Sequence, residues 1–294
     1  MSVQDALACL PEGLWREIER LGEGYGDFYQ RLFEVRLRAG HHAALTVDGR
    51  SLPLAYRASA ADVAATLSAL CAHSVYAHKD TLREGYLYAF GCRVGVAGRA
   101  VTDGGRVVGI ADVCALCIRI PHRIAGAGEV AVRAFRRMGC RRGVLIYSPP
   151  GVGKTTMLTD LAYTLSAGRD ALRVAVVDTR GELYGEDAPA ACQIDVLRGY
   201  PKAVGIEIAT RVLAPQVIVC DEIGDTADAA AIFAAVGAGV PLIASAHADG
   251  LLALRARPPL RTLIEGGVFG AYIGIAREGD KYSYTVEGEG LCQD

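Results

Sequence analysis

The segment Ser148 to Thr156, which reads SPPGVGKTT, constrains the fold of this chain more than any other stretch. An apolar run of strand length, residues 143–147, precedes it, and a helix-like run, residues 156–163, follows it. A strand, a loop of small residues and a helix in this order are typical of a phosphate-binding P-loop. Backbone N–H groups of such a loop, together with the helix N-terminus, bind phosphate oxygens.

The side chains of this segment fit that chemistry. Lys154 is expected to place its positive charge on the β- and γ-phosphates, and the Thr155 hydroxyl is expected to bind Mg²⁺. The rest of the predicted nucleotide-binding loop is Ser148, Pro149, Pro150, Gly151, Val152, Gly153 and Thr156. The segment departs from the general pattern G-x-x-x-x-G-K-[ST] only at its first position, where Ser148 replaces glycine.

A second motif follows about sixty residues later, where the apolar run from Gln216 to Cys220 ends in Asp221 and Glu222. Such a run alone is common and usually indicates only the end of a strand. After a P-loop, however, Asp221 is expected to hold the Mg²⁺ water shell, and Glu222 to orient and polarise a water for attack on the γ-phosphate. The intervening residues 173–178 supply the additional strand expected of P-loop proteins that hydrolyse ATP.

Two more polar groups follow predicted strands, at the sheet edge where open α/β folds bind ligands. Asp178 and Glu182 follow one strand, and His247 follows another. His247 could donate a hydrogen bond to the γ-phosphate or to the attacking water, although a lone histidine after a strand is often an ordinary loop residue.

Composition narrows the functional classes. The chain has 294 residues, 51% of them hydrophobic, which favours two folded domains rather than disorder. Its formal charge of -2 provides no overall basic field for nucleic acid, so a nucleic-acid motor is disfavoured. The nine cysteines are irregularly spaced and include only one C-x-x-C pair, Cys114 and Cys117, which favours reduced structural thiols over a metal site.

A membrane span is not expected, although residues 229–246 form an uncharged run of sufficient length. Gly237, Gly239 and Pro241 divide this run into a predicted helix ending at Val236 and a predicted strand from Val240. The N-terminal residues have neither a basic segment nor an apolar one, so no signal peptide is predicted.

The pattern of elements predicts two domains. Residues 1–130 combine predicted hairpins with a helix over residues 59–72, which indicates a smaller α+β domain with antiparallel strands. Residues 131–294 alternate strands with helices, which predicts a RecA-like α/β ATPase domain: a mostly parallel sheet with flanking helices.

Taken together, these motifs resemble those of the stage III sporulation protein AA family, which is related to the motor ATPases of secretion systems and type IV pili. The resemblance covers most of the chain. Besides the two motifs above, it rests on segments 81–86, 91–101, 118–120 and 244–247. The family usually carries an acidic residue where Thr179 stands, so a catalytic contribution of that loop would rest on Asp178 and Glu182.

The resemblance implies a cytoplasmic ATPase that uses ATP and Mg²⁺ and is recruited to a membrane channel complex of the sporulation system. It also implies a hexameric ring, in which an arginine reaches the γ-phosphate bound by a neighbouring subunit. The candidates for this role lie in the matching segments and are Arg93, Arg99 and Arg119. Arg119 is the one assigned to catalysis. For each of the three, the alternative is a structural ion pair.

The sequence therefore predicts a Mg²⁺-dependent ATP hydrolase whose turnover drives transport or assembly at a membrane. The predicted catalytic residues are Glu222, Glu182, His247 and Arg119. The alternative is an ATP-binding scaffold whose nucleotide state orders a partner interface with little hydrolysis.

Overall fold

The computed structural model describes residues 3–24, 26–183, 191–279 and 281–288. They form two compact units, one ending at His122 and the other beginning at Arg123. Each unit has its own sheet and its own apolar core. The predicted fold class is confirmed: an antiparallel α+β unit precedes an α/β unit with a mostly parallel sheet.

The first unit is built on antiparallel strands with helices packed against them. Its described strands are β1 (Leu32–Arg38), β2 (His42–Val47), β3 (Arg50–Arg57), β4 (Tyr86–Ala89), β5 (Cys92–Asp103) and β6 (Arg106–Arg119). Its described helices are α1 (Val3–Ala8), α2 (Glu12–Glu23), α3 (Phe28–Arg31), α4 (Ala60–Leu70) and α5 (Lys79–Leu82), with a 3₁₀ turn over Val75–His78. The strands form one sheet in the order β3-β2-β1-β6-β5-β4.

Local sequence signals explain two elements of this unit. Asp48 and Gly49 both have positive φ angles, 50° and 75°, as the two central residues of a type I′ hairpin turn require. Ser59 caps α4 by accepting a hydrogen bond from the Asp62 backbone N–H at 3.1 Å, and the Asp62 carboxylate accepts one from the Ser59 N–H at 2.8 Å. The predicted hairpin and the predicted helix are therefore both present.

The second unit alternates strands and helices. Its described strands are β7 (Gly143–Ser148), β8 (Val174–Asp178), β9 (Ile194–Arg198), β10 (Val217–Glu222), β11 (Leu242–His247), β12 (Phe269–Glu278) and β13 (Lys281–Gly288). Its described helices are α6 (Glu129–Arg137), α7 (Lys154–Ser166), α8 (Lys202–Ile208), α9 (Thr226–Gly237), α10 (Leu251–Ala256) and α11 (Pro258–Glu265). A π-helical turn, Ala209–Leu213, extends α8.

The order of strands in this sheet is β13-β12-β7-β11-β10-β8-β9. Strand β8 lies between β7 and β10 in the chain, but in the sheet it lies on the far side of β10. The strand that separates β7 from β10 is β11, which pairs in parallel with both. The carboxyl ends of β7, β11 and β10 therefore lie side by side at one edge of the sheet.

Both faces of this sheet are covered, as a parallel sheet requires. Along β7, Val144 and Ile146 pack into a core with α6 and α7, whereas Leu145 and Tyr147 pack into a second core with the helices α8 to α11. Strand β7 is buried along its entire length because both of its faces are covered. A strand of this kind has a continuous apolar sequence instead of an alternating one.

The uncharged run over residues 229–246 divides as predicted, into most of α9 and most of β11. Within the described part of the chain, no helix combines the length and the apolar character needed to cross a bilayer.

Replacing Gly143 with alanine should destabilise the second unit. A Cβ atom at this buried position would lie 2.3 Å from the Leu242 carbonyl oxygen and 3.1 Å from that of Val268, so β7 would be pushed away from both neighbouring strands. We expect the free energy of unfolding to fall by about 1–3 kcal/mol, measured by urea denaturation. Gly237→Ala is the control, because nothing lies within 4 Å of its Cβ position; an equal loss in both variants would contradict this account of the packing.

Candidate functional site

The loop after β7 takes a conformation that its glycines permit. Gly151 and Gly153 have φ angles of 76° and 112°, in the left-handed region that glycine enters without steric penalty. Ser148, by contrast, is the last residue of β7 and does not have a positive φ. Glycine is therefore not needed at Ser148, which explains how the chain departs there from the general P-loop pattern.

The Lys154 ammonium lies inside this loop. Its side chain is buried, and Nζ donates hydrogen bonds to the carbonyl oxygens of Ser148 at 3.0 Å and Pro149 at 3.1 Å, and to the Ser148 hydroxyl at 3.2 Å. Burial lowers the pKa of Lys154, and the negative charge of Glu222 opposes that shift. The loop thus holds a cation at its centre, ready for an anionic ligand.

His247 lies between this cation and the second motif. The pairing of β11 with β7 places His247 opposite Ser148, and the imidazole Nδ1 is 2.8 Å from Lys154 Nζ. The other ring nitrogen, Nε2, is 3.1 Å from Glu222 Oε2. Because an ammonium group can only donate, Nδ1 accepts and Nε2 carries the ring proton toward the carboxylate. Lys154, His247 and Glu222 therefore form one continuous polar chain.

The sheet itself fixes Glu222 at this position. Glu222 is the last residue of β10 and is in register with Ser245 of β11, and the Ile223 N–H donates to the Ser245 carbonyl at 3.0 Å. Two residues beyond Ser245, the same strand carries His247. Parallel pairing thus brings together Glu222, His247 and the loop after β7 that holds Lys154.

Arg257 also belongs to this cluster, although no sequence motif points to it. Its guanidinium donates to the His247 carbonyl at 3.2 Å and to the Ile223 carbonyl at 3.4 Å, and lies 3.9 Å from Glu222 Oε1. Arg257 stands between α10 and α11, ten residues after His247, in a segment with no recognisable motif. Its position follows only from the folding of α10 back toward the sheet edge.

Asp221 has a basic partner to which no sequence motif points. Lys202, the first residue of α8, is buried and places Nζ 2.7 Å from Asp221 Oδ1 and 3.8 Å from Asp228 Oδ2. It also donates to the Glu222 carbonyl oxygen. Burial raises the pKa of Asp221, and the positive charge of Lys202 opposes that rise. Lys202 thereby joins the end of β10 to the start of α9.

The donor groups fit a magnesium ion that is carried by a polyphosphate. Within the described ranges, no three His, Cys, Asp or Glu side chains cluster as a metal site would require. Mg²⁺, however, usually keeps several waters and binds one or two protein oxygens in addition to substrate phosphates. Thr155 is exposed at the start of α7, and Asp221 provides a carboxylate. These two residues would hold the ion, and this assignment stays a prediction.

Asp178 and Glu182 form a turn after β8. The buried Asp178 carboxylate accepts hydrogen bonds from the backbone N–H groups of Glu182 at 2.8 Å and Leu183 at 3.2 Å. Desolvation raises the pKa of Asp178 to about 6, although both hydrogen bonds and the charge of Arg198 oppose the rise. Asp178 therefore has a structural role in shaping this turn. Glu182 remains a predicted catalytic residue.

The candidate arginines lie on the sheet of the first unit. Arg93 on β5 is directly opposite Arg119 on β6, whereas Arg99 forms an ion pair with Asp112 at 2.7 Å. Arg119 is exposed, with its Nε 4.0 Å from Glu34. Arg93 and Arg119 line a cavity of about 420 Å³ together with Arg36 and Arg38. The sheet thus concentrates four guanidinium groups on one surface.

Comparison with known proteins identifies the family. The family model for sporulation stage III, protein AA matches residues 13–288. The chain belongs to this family. It is also 34% identical over 285 residues to the stage III sporulation protein AA of Bacillus subtilis (strain 168), covering 94% of this chain and 88% of that protein.

Solved structures support the same fold. The ATPase DotB of Legionella pneumophila superposes with a TM-score of 0.64 at 15% identity, covering 94% of this chain and 81% of that one. The pilus retraction motor PilT, solved with bound ADP, superposes with a TM-score of 0.60 at 14% identity, covering 93% of this chain and 83% of that one. At these sequence identities the similarity establishes the fold. The predicted relation to secretion and pilus motor ATPases is therefore confirmed as a relation of fold.

Asp178 should make stability depend on pH. Its pKa is higher in the folded chain than its ordinary value of 3.8, so the folded state binds more protons between about pH 4 and pH 6, and stability falls as the pH rises through that window. Asp178→Asn removes this titration. We expect the difference in unfolding free energy to shift by about 2–3 kcal/mol in favour of the variant between pH 4 and pH 7. A constant difference in urea denaturation across that range would contradict the assignment.

Lys202 should be essential for stability. Lys202→Met leaves the Asp221 and Asp228 carboxylates without their buried cation, so we expect the free energy of unfolding to fall by about 3–5 kcal/mol. The control is Lys281→Met, because Lys281 is exposed on β13 and its loss should change stability by no more than about 0.5 kcal/mol. Equal denaturation midpoints for the two variants would show that the buried ion pairs contribute little.

Proposed function

We propose that this chain is a Mg²⁺-dependent ATP hydrolase that powers a membrane-associated secretion or channel assembly of the sporulation type. The observation that carries the proposal is the polar chain from Lys154 through His247 to Glu222, at 2.8 Å and 3.1 Å. It joins a group suited to bind phosphate to a group suited to activate water. A site that only bound nucleotide would need the first group and not the second.

The chemistry follows from the residues. An incoming polyphosphate offers Lys154 charged oxygen acceptors, which form stronger hydrogen bonds than the carbonyl groups of Ser148 and Pro149. Glu222 then orients a water molecule and accepts its proton as the water attacks the γ-phosphorus, and the bond from the γ-phosphorus to the bridging oxygen breaks to release ADP. A magnesium ion bound by Thr155 and Asp221 would neutralise charge that develops on the phosphate oxygens.

His247 would link binding to catalysis. In the present arrangement its Nδ1 accepts from Lys154 while Nε2–H donates to Glu222. When Lys154 turns toward phosphate, Nδ1 loses its donor, and the imidazole can reorient toward the γ-phosphate or the attacking water. Glu222 is thereby released from one of its partners when a nucleotide is present.

The assembled state is proposed to be a hexameric ring with an arginine supplied from the first unit of a neighbouring subunit. Arg93 and Arg119 are the candidates for this role because they face each other on β5 and β6 and line the same arginine-rich cavity as Arg36 and Arg38. An arginine donated in trans can accelerate phosphoryl transfer by ~10³–10⁵. The ring would act on membrane channel proteins of the sporulation system, with the chain recruited from the cytoplasm.

A scaffold that binds ATP with little hydrolysis is the second candidate, and one observation favours it. Both carboxylate oxygens of Glu222 already face cations or donors, His247 at 3.1 Å and Arg257 at 3.9 Å. In that arrangement Glu222 is not free to activate water. Under this alternative, release of Glu222 would require a partner protein, and the isolated chain would bind ATP without turnover.

Replacing Glu222 with glutamine separates binding from turnover. The amide keeps the shape of the side chain but cannot accept the proton of water, so we expect turnover to fall at least about a hundredfold while ATP still binds. Phosphate release and equilibrium ATP binding are the two measurements. Unchanged turnover in this variant would remove Glu222 from its proposed role.

Two matched variants complete the experiment. Glu207→Gln is the control for the chemical change, because Glu207 is exposed and pairs with Arg211 on the same helix; its turnover should equal that of the unmodified chain. Lys154→Ala should lose ATP binding itself, because the loop then lacks its cation. Retained ATP affinity in that variant would contradict the assignment of the phosphate site.

A further inference from the structure

A second cavity lies beside the P-loop. Its volume is about 210 Å³. The described residues around it are Ile124, Gly126, Ala127, Val152, Gly153, Thr156, Met157, Ile275, Tyr282 and Tyr284. This is less than the roughly 300–1,000 Å³ of a typical complete ligand site, so the cavity suits one part of a larger ligand.

The cavity begins where the phosphate loop ends. It shares Val152, Gly153 and Thr156 with that loop. Lys154, Glu222 and His247 are not among the residues that line it. A nucleotide anchored by its phosphates must place its sugar and base in a space that adjoins the loop. This cavity meets that requirement without overlapping the catalytic cluster.

Two tyrosines form its aromatic side. Tyr282 and Tyr284 are two residues apart on β13, so their side chains lie on the same face of the strand. The position of a Cβ atom on Gly153 would be 3.6 Å from Tyr282 Cε1, which places this ring against the phosphate loop. Tyr282 remains 48% exposed and Tyr284 40% exposed, so much of each ring surface is available to a ligand.

Tyr282 is also held in a defined orientation. The Arg277 guanidinium carbon lies 5.4 Å from the centroid of its ring, a cation–π contact between β12 and β13. An aromatic ring that is oriented before a ligand arrives loses less conformational entropy on binding. An exposed but oriented ring that lines a largely apolar cavity is well suited to stack against a planar group.

We propose that this cavity binds the purine base of the nucleotide whose phosphates occupy the loop, and that Tyr282, supported by Tyr284, stacks on the base. The inference rests on the proposed function, because it places the remaining part of the same ligand. The cavity is also lined by the apolar side chains of Ile124, Val152 and Met157, which are available to contact the base. The hairpin of β12 and β13 is thereby part of the nucleotide site.

The same residues imply weak selectivity between purines. Among the described residues that line the cavity, none has a carboxylate, carboxamide or guanidinium group with which to distinguish a 6-amino from a 6-oxo substituent. Stacking tolerates different bases because each has a π face. We therefore expect ATP and GTP to bind with dissociation constants within about tenfold of each other.

The test compares the binding of ATP, GTP and inorganic tripolyphosphate, each with Mg²⁺, by isothermal titration calorimetry. Tyr282→Ala should weaken ATP and GTP binding at least about tenfold and leave tripolyphosphate binding unchanged, because only the nucleotides carry a base. Tyr282→Phe, which keeps the ring, should bind all three like the unmodified chain. Tyr76→Ala is the control, since it removes an exposed tyrosine from the first unit.

Three outcomes would overturn the inference alone: unchanged ATP affinity in Tyr282→Ala, equal weakening of ATP and tripolyphosphate, or at least about a hundredfold preference of the unmodified chain for one purine. In each of these the unmodified chain still binds ATP, and Lys154→Ala still loses both ATP and tripolyphosphate. Failure of the unmodified chain to bind ATP at all would instead overturn the proposed function and this inference together.

Discussion

The site depends on a buried ammonium group inside a loop of carbonyl oxygens. An unpaired charge at this depth would be strongly unfavourable, and the loop removes that penalty by turning the Ser148 and Pro149 carbonyls and the Ser148 hydroxyl toward Lys154. That turn requires the positive φ angles of Gly151 and Gly153. The Lys154 ammonium is therefore already in place and is bonded only to neutral acceptors. We expect polyphosphate oxygens to take the place of these acceptors when a nucleotide binds.

Sheet topology connects this cation to the rest of the site. Because β11 lies between β7 and β10, His247 at its end contacts both Lys154 on one side and Glu222 on the other. Had β8 occupied that place, the two motifs would be separated by the turn that Asp178 holds. Two further side chains reach these strand ends from the helical segments. Lys202 at the start of α8 contacts Asp221, and Arg257 between α10 and α11 contacts Glu222.

Much of this could be predicted from the sequence, and the physical reason differs by element. The P-loop, the Asp221–Glu222 strand end and His247 were accessible because each follows a strongly apolar strand, and parallel strands bring their carboxyl ends together. The roles of Lys202 and Arg257 could not be predicted, because no local sequence pattern indicates that a side chain from another segment will contact the ends of these strands. The place of β8 in the sheet could not be predicted either, because the order of strands depends on crossover connections and not on order in the chain. The catalytic and binding roles of all the predicted site residues, Arg119 and Glu182 among them, remain predictions.

The most direct test of the account is the rate of Mg²⁺-dependent ATP hydrolysis per chain, measured over a wide range of protein concentrations. The account predicts measurable phosphate release whose rate per chain rises with concentration, because the proposed arginine of the first unit would reach a nucleotide only in an assembled ring. No phosphate release at any concentration, under conditions where ATP is bound, would contradict hydrolysis by this site and favour the nucleotide-binding scaffold.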